Sequence, residues 1–359
     1  MMKSIQSVFE QYPLKGTFKD ACKYGSGHIN ETYLITTQEE GYPNYILQKN
    51  NSNVFENIPS MLENIAQVTD YLQVHRQNTP NLQLFKSTEG NPYVIDRNRQ
   101  YWSAYNFIEG ISHDLVINEK QALEGGKAWG DFLRQLNEFP IQNLHITLPR
   151  FHDLALRLQQ FYDALQTGNR QRVHTNSKLI DLIRSRENIM LDFQQNLYSS
   201  NIPERITHND TKFNNILFDK KNNYLCILDL GTIMPGYMHY DFGDAIRTVC
   251  NRSFEDEENL QKTGFNLPFF KAFTKGYLMY TKPYLFVQEL DYLYFSPLFM
   301  TYLIGLRFFT DYLQNDKYFK TCYAEHNLQR AKVQFKLLCE MEKNTETMHE
   351  IIQDILRSK

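Results

Sequence analysis

Thr207-His208-Asn209-Asp210-Thr211-Lys212-Phe213-Asn214-Asn215, followed after a short hairpin by Ile227-Leu228-Asp229-Leu230-Gly231, is the most informative stretch of the chain. Its form is H-x-D-x-x-x-x-N, then an apolar strand ending in Asp. Phosphoryl transfer needs a carboxylate to accept or orient the nucleophilic hydroxyl, and hard oxygen ligands to hold Mg²⁺ against nucleotide phosphates. Asp210 supplies the first, Asn215 and Asp229 supply the metal ligands, and His208 completes the candidate catalytic set. An isolated Asx residue often does no more than cap a helix. The order His, Asp, Asn, hairpin, Asp is far more restrictive than any one of its members.

The hairpin is Ile216-Leu217-Phe218 and Cys226-Ile227-Leu228, separated by the turn-forming Asp219-Lys220-Lys221-Asn222-Asn223. Upstream, after an amphipathic stretch around Ile5, Val8 and Phe9, residues Gly25 to Thr37 and Tyr45 to Gln48 read as β. Apolar positions from Ile58 to Val74 fall at helical spacing, and further strands are expected at 82–85, 93–96 and 101–107. From Asn118 the pattern turns helical, with helices expected around Trp129, at 153–166, at 177–197 and over 324–358. The acidic run Glu255-Asp256-Glu257-Glu258 reads as a solvated helix start. The fold class is therefore α+β, with a β-rich lobe over 1–109 and a mainly helical lobe over 110–359.

With 359 residues, two lobes are the natural expectation. Lys+Arg total 38 against 41 Asp+Glu, so there is no basic excess to suggest a nucleic-acid partner. The five cysteines are scattered and form no C-x-x-C pair, which argues against a disulfide framework or a zinc site. Met1 to Phe18 carries polar residues throughout and lacks an apolar core of the length a signal peptide or membrane span needs. A cytoplasmic protein, monomeric or homodimeric, acting on a small molecule and not at a membrane is expected.

Two further segments complete a nucleotide site. In Gly25-Ser26-Gly27-His28-Ile29-Asn30 the glycines would let backbone N–H groups approach phosphate oxygens. Gly25, Ser26, Gly27, His28 and Asn30 are the candidates there. Phe107-Ile108-Glu109, just before Gly110, lies where an interlobe hinge would offer backbone groups to adenine.

Together these segments resemble the aminoglycoside phosphotransferase and choline kinase superfamily, and within it the bacterial N-acetylhexosamine 1-kinases. The likeness runs on through Tyr45-Ile46-Leu47-Gln48, Thr232-Ile233-Met234-Pro235-Gly236, Asp241-Phe242-Gly243-Asp244, Arg307-Phe308 and Asp316-Lys317-Tyr318-Phe319. The resemblance implies a bilobal protein-kinase-like fold and a kinase that moves the γ-phosphoryl of ATP, with Mg²⁺, onto the anomeric hydroxyl of N-acetylglucosamine or N-acetylgalactosamine. By the same likeness Asp210 is the base, and Arg307 and Tyr318 contact the sugar. One of Asp241, Asp244 and Arg247 braces the catalytic loop; Asp241 suits that role, and Asp244 and Arg247 could reach the substrate.

Two features depart from the general kinase pattern. A third-strand Lys paired with a helix Glu usually meets the phosphates. Here Gln48 takes the Lys place and Lys49 points away, as alternation on a strand requires. The resembled hexosamine kinases share that Gln, and Glu63 and Asn64 are the candidate helix partners. Gly231 also stands where those enzymes would carry an acidic residue. The competing readings are a kinase of an amino alcohol or amino acid, such as choline or homoserine, and a nucleotide-binding pseudokinase.

Overall fold

The computed structural model describes residues 2–25, 30–52, 55, 57–75 and 80–358. The first part of the chain builds α1 (Met2–Phe9), β1 (Phe18–Lys23), β2 (Glu31–Thr37), β3 (Tyr45–Lys49), α2 (Ile58–His75), β4 (Leu84–Phe85), β5 (Val94–Ile95) and β6 (Tyr101–Asn106). The strands form one antiparallel sheet in the order β1-β2-β3-β6-β4, with β5 also paired to β6. Strand alternation gives this sheet two different faces. Tyr33, Tyr45, Leu47 and Trp102 bury the outer face under Ile5, Val8 and Phe9 of α1. On the inner face Gln48 lies opposite Thr32 and Ser103.

The expected strands at 25–37 and 45–48 correspond to β2 and β3, with β2 beginning only at Glu31. Strand β1 was missed: Phe18–Lys23 is largely exposed, so its composition carries little apolar alternation.

Beyond Asn106 the chain becomes mainly helical: α3 (Glu119–Gln135), α4 (Leu154–Thr167), α5 (Arg170–Thr175), α6 (Ser177–Arg184) and α7 (Glu187–Ser199). Four short strands follow, β7 (Arg205–Thr207), β8 (Ile216–Phe218), β9 (Tyr224–Ile227) and β10 (Met234–Gly236). Then come α8 (Met238–Val249), α9 (Leu267–Thr281), α10 (Val287–Asp291), α11 (Ser296–Leu313), α12 (His326–Glu342) and α13 (Thr345–Arg357). The expected helix at 177–197 is two helices, because the chain turns at Ser185-Arg186. The acidic run at 255–258 does not start a helix. Its carboxylates are spent on partners instead: Glu255 on Arg247 at 2.7 Å, Asp256 on His326 at 3.0 Å and Glu257 on Lys262 at 3.2 Å.

Asn118 caps α3 by accepting the Gln121 N–H at 2.9 Å. Glycines let α3 and α9 touch backbone to backbone: a Cβ at Gly126 would collide with the Phe273 carbonyl, and one at Gly276 with that of Leu123. Helix α11 is apolar on nearly all sides and is accordingly buried, packing against α4, α8 and α12. Met61, Leu62 and Ile65 of α2 join the same core as Trp129 and Phe132 of α3, so this helix bridges the sheet and the helical part. Among the described residues no helix is long and apolar enough to cross a membrane.

Candidate active site

The loop between β7 and β8 is held open from three sides. β7 pairs with β10, Thr207 opposite Met234, and β8 pairs with β9, Ile216 opposite Ile227. Between them the chain turns at Asn209, with φ +64°, and Asp229 likewise sits at φ +56°. This left-handed region is sparsely used by residues other than glycine, with Asn and Asp its commonest visitors. From α8, Asp241 accepts the backbone N–H of His208 at 2.7 Å and of Asn209 at 2.8 Å. The Asn209 amide donates to the Thr232 carbonyl at 3.0 Å, and the Thr232 hydroxyl donates to the His208 carbonyl at 2.6 Å. Burial pushes the Asp241 carboxyl up to about 7, against the two N–H bonds that favour its charge. Asp241 is thus the brace of the loop.

His208 is fully buried, edge-on to Trp129 with ring centroids 4.9 Å apart. Its Nδ1 accepts the Asp210 N–H at 3.3 Å, so the proton sits on Nε2, which donates to the Leu228 carbonyl at 3.0 Å. Burial holds the imidazole below its usual range and hence neutral. The expectation of a catalytic His208 is corrected: with both nitrogens engaged, it ties Asp210 to the strand leading into Asp229 and is a positioning residue.

Asp210 faces Lys212, Oδ1 to Nζ 3.1 Å. Desolvation would raise its carboxyl, but the Lys212 ammonium outweighs it, and it stays below the usual carboxylate range. Asp229 goes the other way, raised by burial and then by the nearby Asp210 charge. The Asn215 amide donates to the Asp210 carbonyl at 2.8 Å, while the Asn215 carbonyl accepts the Leu228 N–H at 2.8 Å. The Asn215 side-chain Nδ2 being the donor, its Oδ1 is left for a ligand. The Asn215 amide oxygen and the Asp229 carboxylate, whose pKa burial and a neighbouring carboxylate push up, are hard-oxygen donors of the kind that suit Mg²⁺. Lys212 was quoted in the sequence without a role; its signal was its position two residues after Asp210.

Arg307 comes from α11 on the opposite side. Its guanidinium lies over the Phe151 ring at 4.9 Å and donates to the Tyr318 hydroxyl at 3.4 Å. The charges of Asp210 and Asp244 also act on it, after burial and Tyr318. Tyr318 is 62% exposed. Arg247 does not reach a substrate as expected. It is 3% exposed and its guanidinium is spent on Asp244 at 2.8 Å and Glu255 at 2.7 Å. Asp244 is equally buried, its Oδ1 held by Arg247, and acts on the site through its charge.

On the nucleotide side, Ser26, Gly27 and His28 lie outside the described residues. Gly25 has φ +78° with open space where a Cβ would stand, and the Asn30 side chain accepts the Asn51 N–H at 3.0 Å. Gln48 reaches Thr32 at 3.5 Å, whereas Lys49 turns to the outer face and pairs with Glu31 at 2.9 Å. Neither expected helix partner meets Gln48. Glu63 pairs with His145 at 3.0 Å, and Asn64 donates to the carbonyls of His145 at 2.8 Å and Ile233 at 3.0 Å while accepting the His145 N–H at 2.8 Å. Phe107, Ile108 and Glu109 form the link out of β6: Phe107 stacks edge-on to Tyr24 and Glu109 lies 3.6 Å from Lys220. At Gly110 a Cβ would come within 2.5 Å of the Leu217 side chain, so the link presses onto the catalytic hairpin. A Cβ at Gly231 would meet only Phe55 at 3.4 Å, Asp229 at 3.6 Å and Met61 at 3.8 Å, so the position is not closed to a side chain.

This arrangement, an Asp on a braced loop beside an Asn and a second Asp at the end of a hairpin, has counterparts. Residues 20–273 match the model of the phosphotransferase enzyme family. Among solved structures, an aminoglycoside phosphotransferase from Alicyclobacillus acidocaldarius superposes with a TM-score of 0.65 at 12% identity, over 97% of this chain and 96% of that one. A microcompartment-associated aminopropanol kinase gives 0.63 at 14% identity, over 96% and 98%. A spectinomycin phosphotransferase, solved with ADP and spectinomycin, gives 0.58 at 14% identity, over 96% and 98%. At such identities the likeness is one of fold.

Proposed function

Because the chain belongs to the phosphotransferase enzyme family, we propose that it is an ATP-dependent kinase of a sugar, acting on the anomeric hydroxyl of N-acetylglucosamine or N-acetylgalactosamine. The observation that carries the sugar reading is the polarity of the site. Asp210 stands at one side and Arg307 at the other, and Arg307 has no carboxylate within ion-pair distance among the described residues. A hydroxyl bound against Asp210 would leave the rest of the acceptor facing a guanidinium and aromatic rings, which suits a neutral polyol bearing a carbonyl.

In this reading Asp210 accepts the proton as the acceptor oxygen attacks the γ-phosphorus. The bond from that phosphorus to the β–γ bridging oxygen breaks, and ADP leaves. Asn215 and Asp229 would hold Mg²⁺, which neutralises phosphate charge when bound. Lys212 keeps Asp210 ionised, and Asp241 with His208 fixes where it points.

The likeness to an aminopropanol kinase supports a second reading, a cationic amino alcohol as acceptor. Such a substrate would place its ammonium near Arg307, where like charges repel. The test is phosphate transfer from ATP with Mg²⁺ to hexosamines, hexoses, choline, aminopropanol and homoserine by purified protein. Highest kcat/KM on an N-acetylhexosamine supports the proposal. Highest kcat/KM on an amino alcohol or amino acid sinks it.

A further inference from the structure

Arg205 of β7 and Glu289 of α10 form an ion pair through two parallel bonds, Nε to Oε1 at 2.6 Å and Nη2 to Oε2 at 2.8 Å. Their side chains are 10% and 0% exposed, although 84 residues separate them in sequence. The rest of the fork is engaged as well. Nη1 donates to the side chain of Asn137, just past α3, at 2.7 Å, and Nη2 donates to the Tyr284 carbonyl at 3.3 Å. Glu289 is tied down in turn, because its Oε2 accepts the Phe286 N–H at 2.9 Å.

What the pair joins is the support of the catalytic loop. Arg205 opens β7, three residues before His208, and lies opposite Gly236 of β10. Glu289 reaches the second support through its backbone, since its carbonyl accepts from His239 Nε2 at 2.9 Å. His239 stands two residues before Asp241, the α8 carboxylate that accepts from His208 and Asn209. One residue of α10 therefore holds both the strand that feeds the loop and the helix that braces it. Stability alone is a poor reason for such a pair. Taking two charges out of water can cost more than their attraction returns, and apolar residues of similar volume often serve as well or better. What an apolar pair does not supply is direction. A planar fork on a carboxylate fixes position along two bonds at once. A displacement on the order of 1 Å at a reacting group can cost about 10² in rate.

We propose that Arg205 and Glu289 are positioning residues for phosphoryl transfer: through the fork and the His239 contact they set the place of the loop that carries Asp210. The inference rests on the reading of Asp210 as the base and deepens it. The pair acts through β7 and α8 rather than on nucleotide or acceptor, so its loss falls on kcat and spares both KM values.

The test uses the full chain, a double variant carrying Arg205→Met and Glu289→Met, and the single variants Arg205→Lys and Asp210→Asn. The double variant removes both charges at once and strands neither in the interior. Thermal melting, kcat, KM for ATP and KM for the acceptor are measured on each protein. The acceptor is whichever of N-acetylglucosamine, glucose, aminopropanol and homoserine the wild type phosphorylates best. The double variant is expected to melt near or above the wild type, with both KM values within about twofold and kcat lower by a factor of about 10 or more. Arg205→Lys keeps the charge without the fork and is expected to recover only part of that loss. Either variant, folded and with wild-type kcat, overturns the proposal, and so does a kcat that falls only as far as the folded fraction does. Should the double variant fail to fold, Arg205→Lys decides by the same comparison. Wild-type turnover in Asp210→Asn, or no phosphate transfer by the wild type to any of the acceptors, overturns the kinase reading and the positioning role with it. An impaired Asp210→Asn beside an unimpaired double variant overturns the positioning role alone.

Discussion

Asp241 accepts the backbone N–H of Asn209 at 2.8 Å, and Asn209 is the residue that turns the catalytic loop through φ +64°. A carboxylate is suited to this place because the His208 N–H also points at it, at 2.7 Å. Asp241→Asn replaces one acceptor oxygen by an NH₂, which leaves one N–H unpaired against another donor. An orphaned buried donor costs about 1–3 kcal/mol, and the loop that aims Asp210 is where the loss falls. The variant is expected to unfold at lower denaturant and to lose turnover by a factor on the order of 10 or more. Denaturant titration and kcat check both, and wild-type kcat would show that the loop does not depend on this brace.

On the proposed mechanism, Asp210→Asn removes the base while keeping size and much of the polarity. Turnover is expected to fall by a factor of about 10² or more, with KM for ATP near the wild-type value. Lys212 loses its ion-pair partner in this variant, so the melting temperature is measured alongside to separate chemistry from folding. Undiminished turnover removes Asp210 from the mechanism.

The catalytic loop and its hairpin were legible because their chemistry needs residue types in a fixed order over a short span, and β8, β9 and the loop between β7 and β8 lie where that order puts them. Helices α2, α3 and α4 were legible from apolar spacing. What escaped was fixed by contacts distant in sequence. His208 looks catalytic until Leu228 and the Asp210 N–H are seen to occupy its ring. Arg247 looks free until Glu255 and Asp244 surround it. Phe151 carries no motif at all, and only the fold sets its ring under the Arg307 guanidinium.

Asn64 and Glu63 are neighbours on α2, both joined to the segment around His145, and they are expected to differ sharply in worth. Asn64 is fully buried and makes three hydrogen bonds, to His145 and Ile233. Glu63 Oε2 lies 3.0 Å from His145 Nε2, with side chains 50% and 49% exposed. Asn64→Leu should cost about 1–3 kcal/mol or more, since it strands several backbone groups, whereas Glu63→Gln should cost about 0–1 kcal/mol. Chemical denaturation of the two variants checks the order, and equal losses would show that α2 is not fastened through Asn64.

His239 gives a pH dependence that can be isolated. It is buried, bonded through Nε2 to the Glu289 carbonyl at 2.9 Å, and burial pulls it down to about 4 from 6.5. Between those two values the unfolded chain binds a proton that the folded one does not. This contribution is therefore complete above the unfolded value of 6.5 and is lost as pH falls towards 4. By pH 5 the loss is about 2 kcal/mol. His239→Gln keeps a donor but does not titrate, so its stability should fall less between pH 7 and pH 5 than that of the wild type. Parallel declines in the two proteins would show that His239 is not the source.

Arg307 separates a substrate role from a structural one. Its guanidinium rests on Phe151 and lies 5.5 Å from the centre of the Phe319 ring, so removing it will disturb packing whatever else it does. The charge of Asp210 also acts on it, it has no carboxylate of its own, and a donor fork held that way has its remaining N–H groups free for an acceptor molecule. Lost packing lowers the melting temperature and weakens ATP and acceptor alike. A lost substrate contact raises KM for the acceptor alone. Arg307→Ala is expected to raise acceptor KM by about tenfold or more while KM for ATP changes by about twofold at most. Arg307→Lys keeps the charge but not the planar fork, and should recover only part of the loss. If both KM values rise together with a falling melting temperature, Arg307 is a packing residue and the polarity of the site no longer argues for a sugar.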